Sequence, residues 1–304
     1  MFKYTLDNKR YHTLNYFYRN KFNSKVFKVS LNANFSCPNL KNGTGCIFCN
    51  NGSGNNYKYL DLIEQFNLVK IPLEKKWPNS KYIAYFQANS NTYAPINVLK
   101  EKYESVLNIP NVIGLAIATR SDCLSQEILD YLSELNKRTF LTVEIGLQSM
   151  HDDTLKLINR GHDLKNFEDA IKKLKERNIF TVVHIINGLP NETKEMMVDT
   201  VKYLNSLNID GIKIHMLYIT KNTKLSEMYH EKHFHILTKE EYIDIVCEQL
   251  EHLDEKVVVE RITGDPIKEE LITPSWLLKK FCVLNDIDKE MKKRDIVQGD
   301  KINH

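Results

Sequence analysis

The sequence predicts an α/β fold, a partial (β/α)6 barrel of the TIM type with extensions at both ends, on three observations. Short runs of strand character alternate with amphipathic helical patterns along most of the chain. The strand runs are apolar or only loosely alternating, as parallel strands covered by helices are. Polar residues recur where those runs end, and in such barrels the chemistry gathers at the C-terminal ends of the strands.

Residues 26–33 (VFKVSLNA) form the first strand and lead into a cysteine-bearing loop. KYIAYFQ (81–87), NVIGLAIAT (111–119), TFLTVEIGLQ (139–148), FTVVHIING (180–188) and DGIKIHML (210–217) follow. Helical segments separate them, as between 193 and 207, where Met197, Val201 and Leu204 share one face at i, i+4 and i+7. Asn191 or Thr193 is placed to cap that helix after Pro190. The strand ends carry Gln87 and Asn89, Thr119 and Arg120, Glu144 and Gln148, Asn187, and His215, expected to converge on one mouth. Three segments result: a basic aromatic extension over 1–25, the barrel over 26–253, and an extension over 254–304 packing on the barrel.

At 304 residues with 42% hydrophobic content, the chain can bury a full core. The 42 Lys and Arg nearly balance the 39 Asp and Glu, leaving a net charge of +3. A nucleic-acid partner must therefore be argued from where charge sits, not from its total. No stretch approaches the roughly 18 apolar residues of a spanning helix. MFKYTLDNKR holds no apolar leader region, so the expected location is cytoplasmic, with no membrane partner.

The stretch SCPNLKNGTGCIFCNNGSG puts Cys37, Cys46 and Cys49 in one loop. Three chemistries compete for them: a disulfide, structural zinc, or an iron–sulfur cluster with one iron left open. A reducing compartment disfavours the disulfide. Zinc needs a fourth ligand from afar, His12 or His162. A cubane held by three thiolates keeps a coordination position for a small molecule. Gly43, Gly45, Gly52 and Gly54 let the backbone wrap closely, and Phe48 can shield a cluster.

C-x8-C-x2-C after a first strand, with an aromatic residue before the last Cys, resembles the radical S-adenosylmethionine superfamily. The usual spacing there is C-x3-C-x2-C, and the longer gap points to a subgroup. Further motifs are KVFKVSLNANFSCPN, YIAYFQANSNTYAP, GLAIATRSDCL, LTVEIGLQS, INRGHD, HIINGLPNET and DGIKIHMLYITKNTKL, with ERITGDP and RDIVQG near the C-terminus. Together they resemble the YhcC/YtqA-type proteins, relatives of the radical domain of the elongator catalytic subunit. The resemblance implies a [4Fe–4S] cluster on Cys37, Cys46 and Cys49, with S-adenosylmethionine on its open iron and a reductant such as flavodoxin or ferredoxin. It implies cofactor contacts from Glu144, Gln148 and Gly188, and from Arg160, whose guanidinium fork suits a carboxylate and would also partner Glu144. Gln87 and Asn89 stand where relatives carry a glycine-rich, acidic motif. Arg120, Asp122, Cys123 and His215 are substrate or catalytic candidates, Cys123 as a hydrogen-atom donor or a buried structural thiol. His184 fits a core residue or a ligand. Arg261 and Asp265 either close the mouth over substrate or pin the tail as an ion pair.

The first 28 residues hold seven basic residues against one acid, Asp7, interleaved with eight aromatics. Basic groups tracking phosphates beside rings that stack on bases are what single-stranded RNA loops require. The alternative is that the rings pack on the barrel and the lysines face solvent. The elongator relationship makes the C5 side chain of a tRNA wobble uridine the leading substrate class. With no stretch suited to an acetyltransferase domain, editing of an existing side chain is expected, such as carboxymethylaminomethyl to aminomethyl. A methyltransferase would then act on the product. The competing readings are a radical enzyme for a small metabolite and a zinc-stabilised RNA-binding module.

Overall fold

The computed structural model describes residues 2–41, 43–50, 57–231 and 234–302. Its strands are β1 (Val26–Leu31), β2 (Lys81–Phe86), β3 (Val112–Thr119), β4 (Phe140–Gln148), β5 (Phe180–Asn187), β6 (Gly211–Met216), β7 (Ile219–Thr220), β8 (Val258–Arg261) and β9 (Leu271–Thr273). Seven of them pair in parallel in the order β1-β2-β3-β4-β5-β6-β8, while β7 and β9 form a small antiparallel pair. The sheet stays open between β1 and β8 but curls far enough that Lys28 Nζ on β1 donates to Glu260 Oε2 on β8 at 2.5 Å. The result is the partial barrel expected. All six expected strands form, each within two residues of its expected bounds. The seventh, β8, comes from beyond 253, and its four residues are too few to show a period.

The helices are α1 (Leu14–Phe22), α2 (Pro38–Lys41), α3 (Leu62–Lys76), α4 (Ile96–Leu107), α5 (Gln126–Arg138), α6 (Asp152–Leu157), α7 (Leu164–Lys175), α8 (Lys194–Asn205), α9 (Lys224–Glu231), α10 (Lys239–His252) and α11 (Lys280–Arg294). Thr193, not Asn191, caps α8, its hydroxyl accepting from Met196 N at 3.3 Å. Met197, Val201 and Leu204 are buried as their spacing requires. Outward strand residues such as Leu31, Phe86, Ile117, Val143 and Ile185 pack under the helices in the main core. Among the described residues no helix is long and apolar enough to cross a membrane.

The inner face is layered along the strand axis. At the N-terminal end, Phe17 and Phe22 of α1 meet Phe180 and Phe140, the first residues of β5 and β4, with centroids 4.9 and 5.3 Å apart. Tyr18 is buried in the same cluster. The N-terminal segment before α1 is clasped to the C-terminal tail. Gln298 accepts from His12 N at 2.8 Å and donates to the carbonyls of Asp254 and Val257 at 2.7 and 2.9 Å. Lys3 pairs with Glu255 at 2.6 Å, Arg10 with Asp295 at 3.0 Å, and Lys9 with Asp288.

These contacts favour the alternative reading of the 1–28 segment, in which it packs on the barrel. Its rings are consumed by the plug and by one another, as where Tyr4 stacks on His12 at 4.7 Å. Lys3, Lys9, Arg10 and Lys28 are neutralised by acids of the chain itself. The segment also sits at the opposite end of the strands from the mouth. Phe17→Ala opens a cavity against Phe180 and should cost about 3 kcal/mol, read as a lower denaturant midpoint at unchanged slope. A variant as stable as the parent would show that the plug contributes no packing energy.

Candidate active site

The cysteine loop leaves β1 at the mouth and turns at once into α2. The Cys37 carbonyl accepts from the Leu40 and Lys41 amides at 3.0 and 2.9 Å, and Cys49 N donates to Cys46 O at 2.9 Å. Residues from distant elements clamp the loop. Ile47 N donates to Ile158 O at 3.0 Å, and Leu225 N donates to Ile47 O at 2.8 Å. Asn159 Nδ2 reaches Gly45 O at 2.6 Å, while Asn39 Nδ2 reaches Asn159 O at 2.7 Å. Gly45 sits at φ +76°, a conformation that favours glycine. Gly52 and Gly54 lie outside the described residues. Cys46 is buried, Cys37 and Cys49 are half-buried, and all three are free thiols.

Arg160 stands behind the thiols. Its Nη1 and Asn39 Nδ2 each lie 3.6 Å from Cys46 Sγ, and its Nη2 donates to Gly146 O at 2.7 Å. Its Nε is buried without a partner. Arg120 donates through Nη1 to Arg160 O at 2.8 Å and through Nε and Nη2 to both oxygens of Asp122 at 2.8 Å. Gly161, at φ +78°, fits between them: a Cβ there would lie 3.0 Å from Asn39 Oδ1 and 3.2 Å from Arg120 Nη2. Burial, with Arg160 and Arg120 alongside, pushes the His162 imidazole down to about 3.

Two donors, an amide and a guanidinium, reach one sulfur, and the unpartnered Nε leaves a donor for a further acidic group. The donor set therefore fits an anionic, sulfur-ligated cluster carrying an additional ligand. Among the described residues no three His, Cys, Asp or Glu side chains converge as ligands of one ion. His12, a possible fourth zinc ligand, lies in the plug with Nδ1 3.1 Å from Lys256 O.

Below the mouth lies a layer that sequence reasoning missed. Glu144 accepts from Lys28 Nζ at 2.8 Å, from Tyr85 OH at 2.8 Å and from Lys213 Nζ, with His184 Nε2 at 2.7 Å. Glu260 accepts from Lys28 and lies 3.7 Å from Lys213 Nζ. The side chains of Glu144 and Glu260 are 0% and 1% exposed. Burial alone would raise the Glu144 carboxyl, but Lys213 and Lys28 outweigh it and hold the group well below the carboxylate range. Burial would likewise depress Lys28, yet Glu144 and Glu260 raise it well above its ordinary value. Burial pushes the His184 imidazole down, so it acts as a neutral donor in the core. The charged partners of Glu144 are thus two lysines rather than Arg160. The available signal was a lysine at an inward position of two apolar strands, Lys28 in VFKVSL and Lys213 in GIKIHM.

The other expected residues divide. Gln87 accepts from Ser30 Oγ at 2.8 Å at the end of β2. Asn89 is at φ +62°, donates to Phe35 O at 2.9 Å and leaves a buried Oδ1 without a partner. Gln148, at φ +79°, folds over Gly146, where a Cβ would lie 2.5 Å from its Nε2. Asn187 is not at the mouth: it exchanges amide hydrogen bonds with Gln249 of α10 at 2.7 and 2.8 Å. Gly188 is at φ +87°, but Leu237 fills the space beside it, 3.0 Å from a Cβ position. Cys123 is buried after β3, and burial pushes its thiol up to about 11. Asp265 pairs with Lys280 at 2.9 Å, so the tail is not pinned through Arg261. Cys247 lies in the core, as its helical pattern suggests, and Cys282 is exposed.

A parallel partial barrel with three cysteines in the loop after its first strand defines the class of barrel enzymes that work through an iron–sulfur cluster. The chain matches the radical SAM superfamily over residues 41–204 and the radical SAM C-terminal domain over 209–293. It is 45% identical to the uncharacterized protein YtqA of Bacillus subtilis, over 98% of this chain and 94% of that one. It is 27% identical to a tRNA uridine(34) acetyltransferase of Methanocaldococcus infernus, over 50% of this chain and 29% of that protein. Among solved structures, Elp3 of Methanocaldococcus infernus superposes with a TM-score of 0.71 at 20% identity, over 90% of this chain and 64% of that chain. The chain belongs to the radical SAM superfamily, in the group that includes YtqA and YhcC, and its cofactors are a [4Fe–4S] cluster and S-adenosylmethionine.

Glu144→Gln leaves two buried lysines short of charge and should destabilise the fold by about 3–5 kcal/mol. Since the folded carboxyl lies below its ordinary 4.5, this stabilisation is complete above that pH and is lost as pH falls through the folded value. The parent should therefore lose stability on acidification below pH 4.5 more steeply than the variant, by denaturant melts across pH. Parallel curves would refute the assignment.

Proposed function

We propose that this radical SAM enzyme edits the C5 side chain of a tRNA wobble uridine, converting carboxymethylaminomethyl to aminomethyl. One observation carries the substrate: the similarity, over 156 residues, to a tRNA uridine(34) acetyltransferase. Cys37, Cys46 and Cys49 would hold the cluster, and Arg160 and Gln148 would meet the cofactor beside it, with Gln87 and Asn89 across the mouth. With cluster and S-adenosylmethionine bound, the site would supply radical chemistry able to remove a hydrogen atom from the methylene beside the amine; with S-adenosylmethionine as the two-electron oxidant that carbon would become an imine, which water cleaves to the aminomethyl group and glyoxylate.

The chain's own residues position and shield. Asn39 and Arg160 donate toward Cys46 and fix the orientation of its sulfur. The Arg120–Asp122 pair braces the Arg160 carbonyl, keeping that guanidinium aimed at the loop. Phe48 and Ile47 pack into an apolar patch with Leu155, Ile158, Leu217 and Leu225, which keeps water from the loop's inner side. Cys123 is a protonated thiol next to Asp122 just beyond β3. A small reductant such as flavodoxin or ferredoxin would supply electrons, and a methyltransferase would finish the aminomethyl product. One observation favours the competing small-metabolite reading: four of the seven basic residues of the N-terminal segment are paired with acids of the chain, which leaves less charge for a phosphate track.

Mass spectrometry of tRNA nucleosides decides between them. Deletion of the gene and a Cys49→Ala allele should both accumulate a wobble uridine that keeps its carboxymethyl group. Nucleoside profiles identical to wild type would move the substrate to a small molecule. Cys49→Ala protein should also purify without the brown absorbance of an iron–sulfur cluster.

A further inference from the structure

We propose that Arg261, His215 and Tyr218 form a subsite in the barrel mouth that binds a carboxylate of the substrate. The inference rests on the wobble-uridine reading for the identity of that carboxylate. Its starting point is a defect in the sheet. β6 and β8 pair Ile212 with Val259 but Lys213 with Arg261, so Glu260 is an extra residue in β8. Regular alternation would send Glu260 and Arg261 to opposite faces. The bulge turns both inward, and bulges beside active sites serve to re-aim side chains in this way. Glu260 is spent on Lys28 and Lys213 below. Arg261 is left above, half-buried at the strand end.

Among the described residues the Arg261 guanidinium makes no hydrogen bond or ion pair, nor do the His215 ring nitrogens or the Tyr218 hydroxyl. His215 stands one inward position beyond Lys213 on β6, its ring 5.3 Å from that of His184. Tyr218 follows β6 directly, and its ring lies 3.1 Å from the Cβ position of Gly264 in the turn after β8. Electrostatically the three are neighbours: the Arg261 charge acts on both His215 and Tyr218. Burial, with His184, Arg261 and Lys213 alongside, keeps the His215 imidazole neutral, so it can donate without adding charge.

The acids nearby are committed elsewhere. Glu144 and Glu260 hold the lysines, Asp265 holds Lys280, and Glu270 accepts from Asn50 Nδ2 at 3.1 Å. This corner therefore offers one fixed cation and two neutral donors with no acceptor assigned to them, which suits an oxyanion. A phosphate has the same chemistry. Its position within the barrel, one inward residue above a buried charge layer, favours a carboxylate at the end of a slender side chain over a phosphodiester backbone.

The test uses the anaerobically reconstituted holoenzyme and two anticodon stem-loops, carrying carboxymethylaminomethyluridine or aminomethyluridine, with Kd read by fluorescence anisotropy. Wild type should prefer the carboxylated loop. Arg261→Gln should weaken that loop about tenfold to hundredfold, the value of one charge-assisted hydrogen-bonding group, and leave the other nearly unchanged. Arg261→Lys should recover part of the loss, keeping charge without the fork. Tyr218→Phe should give a smaller loss with the same selectivity, and it serves if Arg261→Gln fails to fold. Equal weakening of both loops would assign Arg261 to a phosphate and overturn the carboxylate. So would a wild-type preference that Arg261→Gln and Tyr218→Phe leave intact. A wild-type enzyme that binds both loops alike would instead defeat the wobble-uridine reading, and the subsite's identity with it.

Discussion

Four buried charges hold this barrel together. Lys28, Glu144, Lys213 and Glu260 come from β1, β4, β6 and β8, and their mutual contacts cross the interior. Such a network repays its desolvation only when each member is satisfied, which makes it directional where apolar packing is not. Two anions answer two cations, with Tyr85 and His184 filling further sites on Glu144. Because Lys28 and Glu260 sit on the two edge strands, the same network sets how far the sheet curls.

That closure divides the strand axis into zones with different jobs. Below it, the α1 aromatics seal the N-terminal end and the termini are clasped through Gln298. Above it, the mouth keeps polar groups that the fold does not use. The Nε of Arg160 is buried without a partner, and Arg261 stands unpaired at the end of β8. A radical reaction needs a dry, ordered chamber, and a sealed base with a charged floor is one way to build it.

The cysteine loop shows how little of its geometry is local. Its backbone is held by Ile158 and Asn159 from the α6–α7 turn and by Leu225 of α9. The INRGHD stretch therefore acts through its backbone and Asn159 as much as through Arg160. Recognition of the motif was possible from the residues. Its role as a clamp was not, because the partners are more than a hundred residues apart in the chain.

Strand positions, the α8 face and its cap, and the three-thiol loop were legible in the sequence, since each depends on periodicity or spacing within about fifteen residues. The residues at the mouth were legible as a set because strand ends of a parallel barrel must converge. Individual assignments followed less well. Asn187 and His184 both lie on β5, yet one turns outward to Gln249 and the other inward to Glu144. The basic, aromatic N-terminus looked the same whether it faced RNA or its own C-terminal acids. Only tertiary structure decided that, because complementarity between Lys3, Lys9 and Arg10 and residues near 255–295 exists only after the ends meet. The sequence alone determined the class of chemistry, through local spacing. The tertiary structure decided which charges cancel and which remain free, because pairing of charges depends on distances that only folding creates.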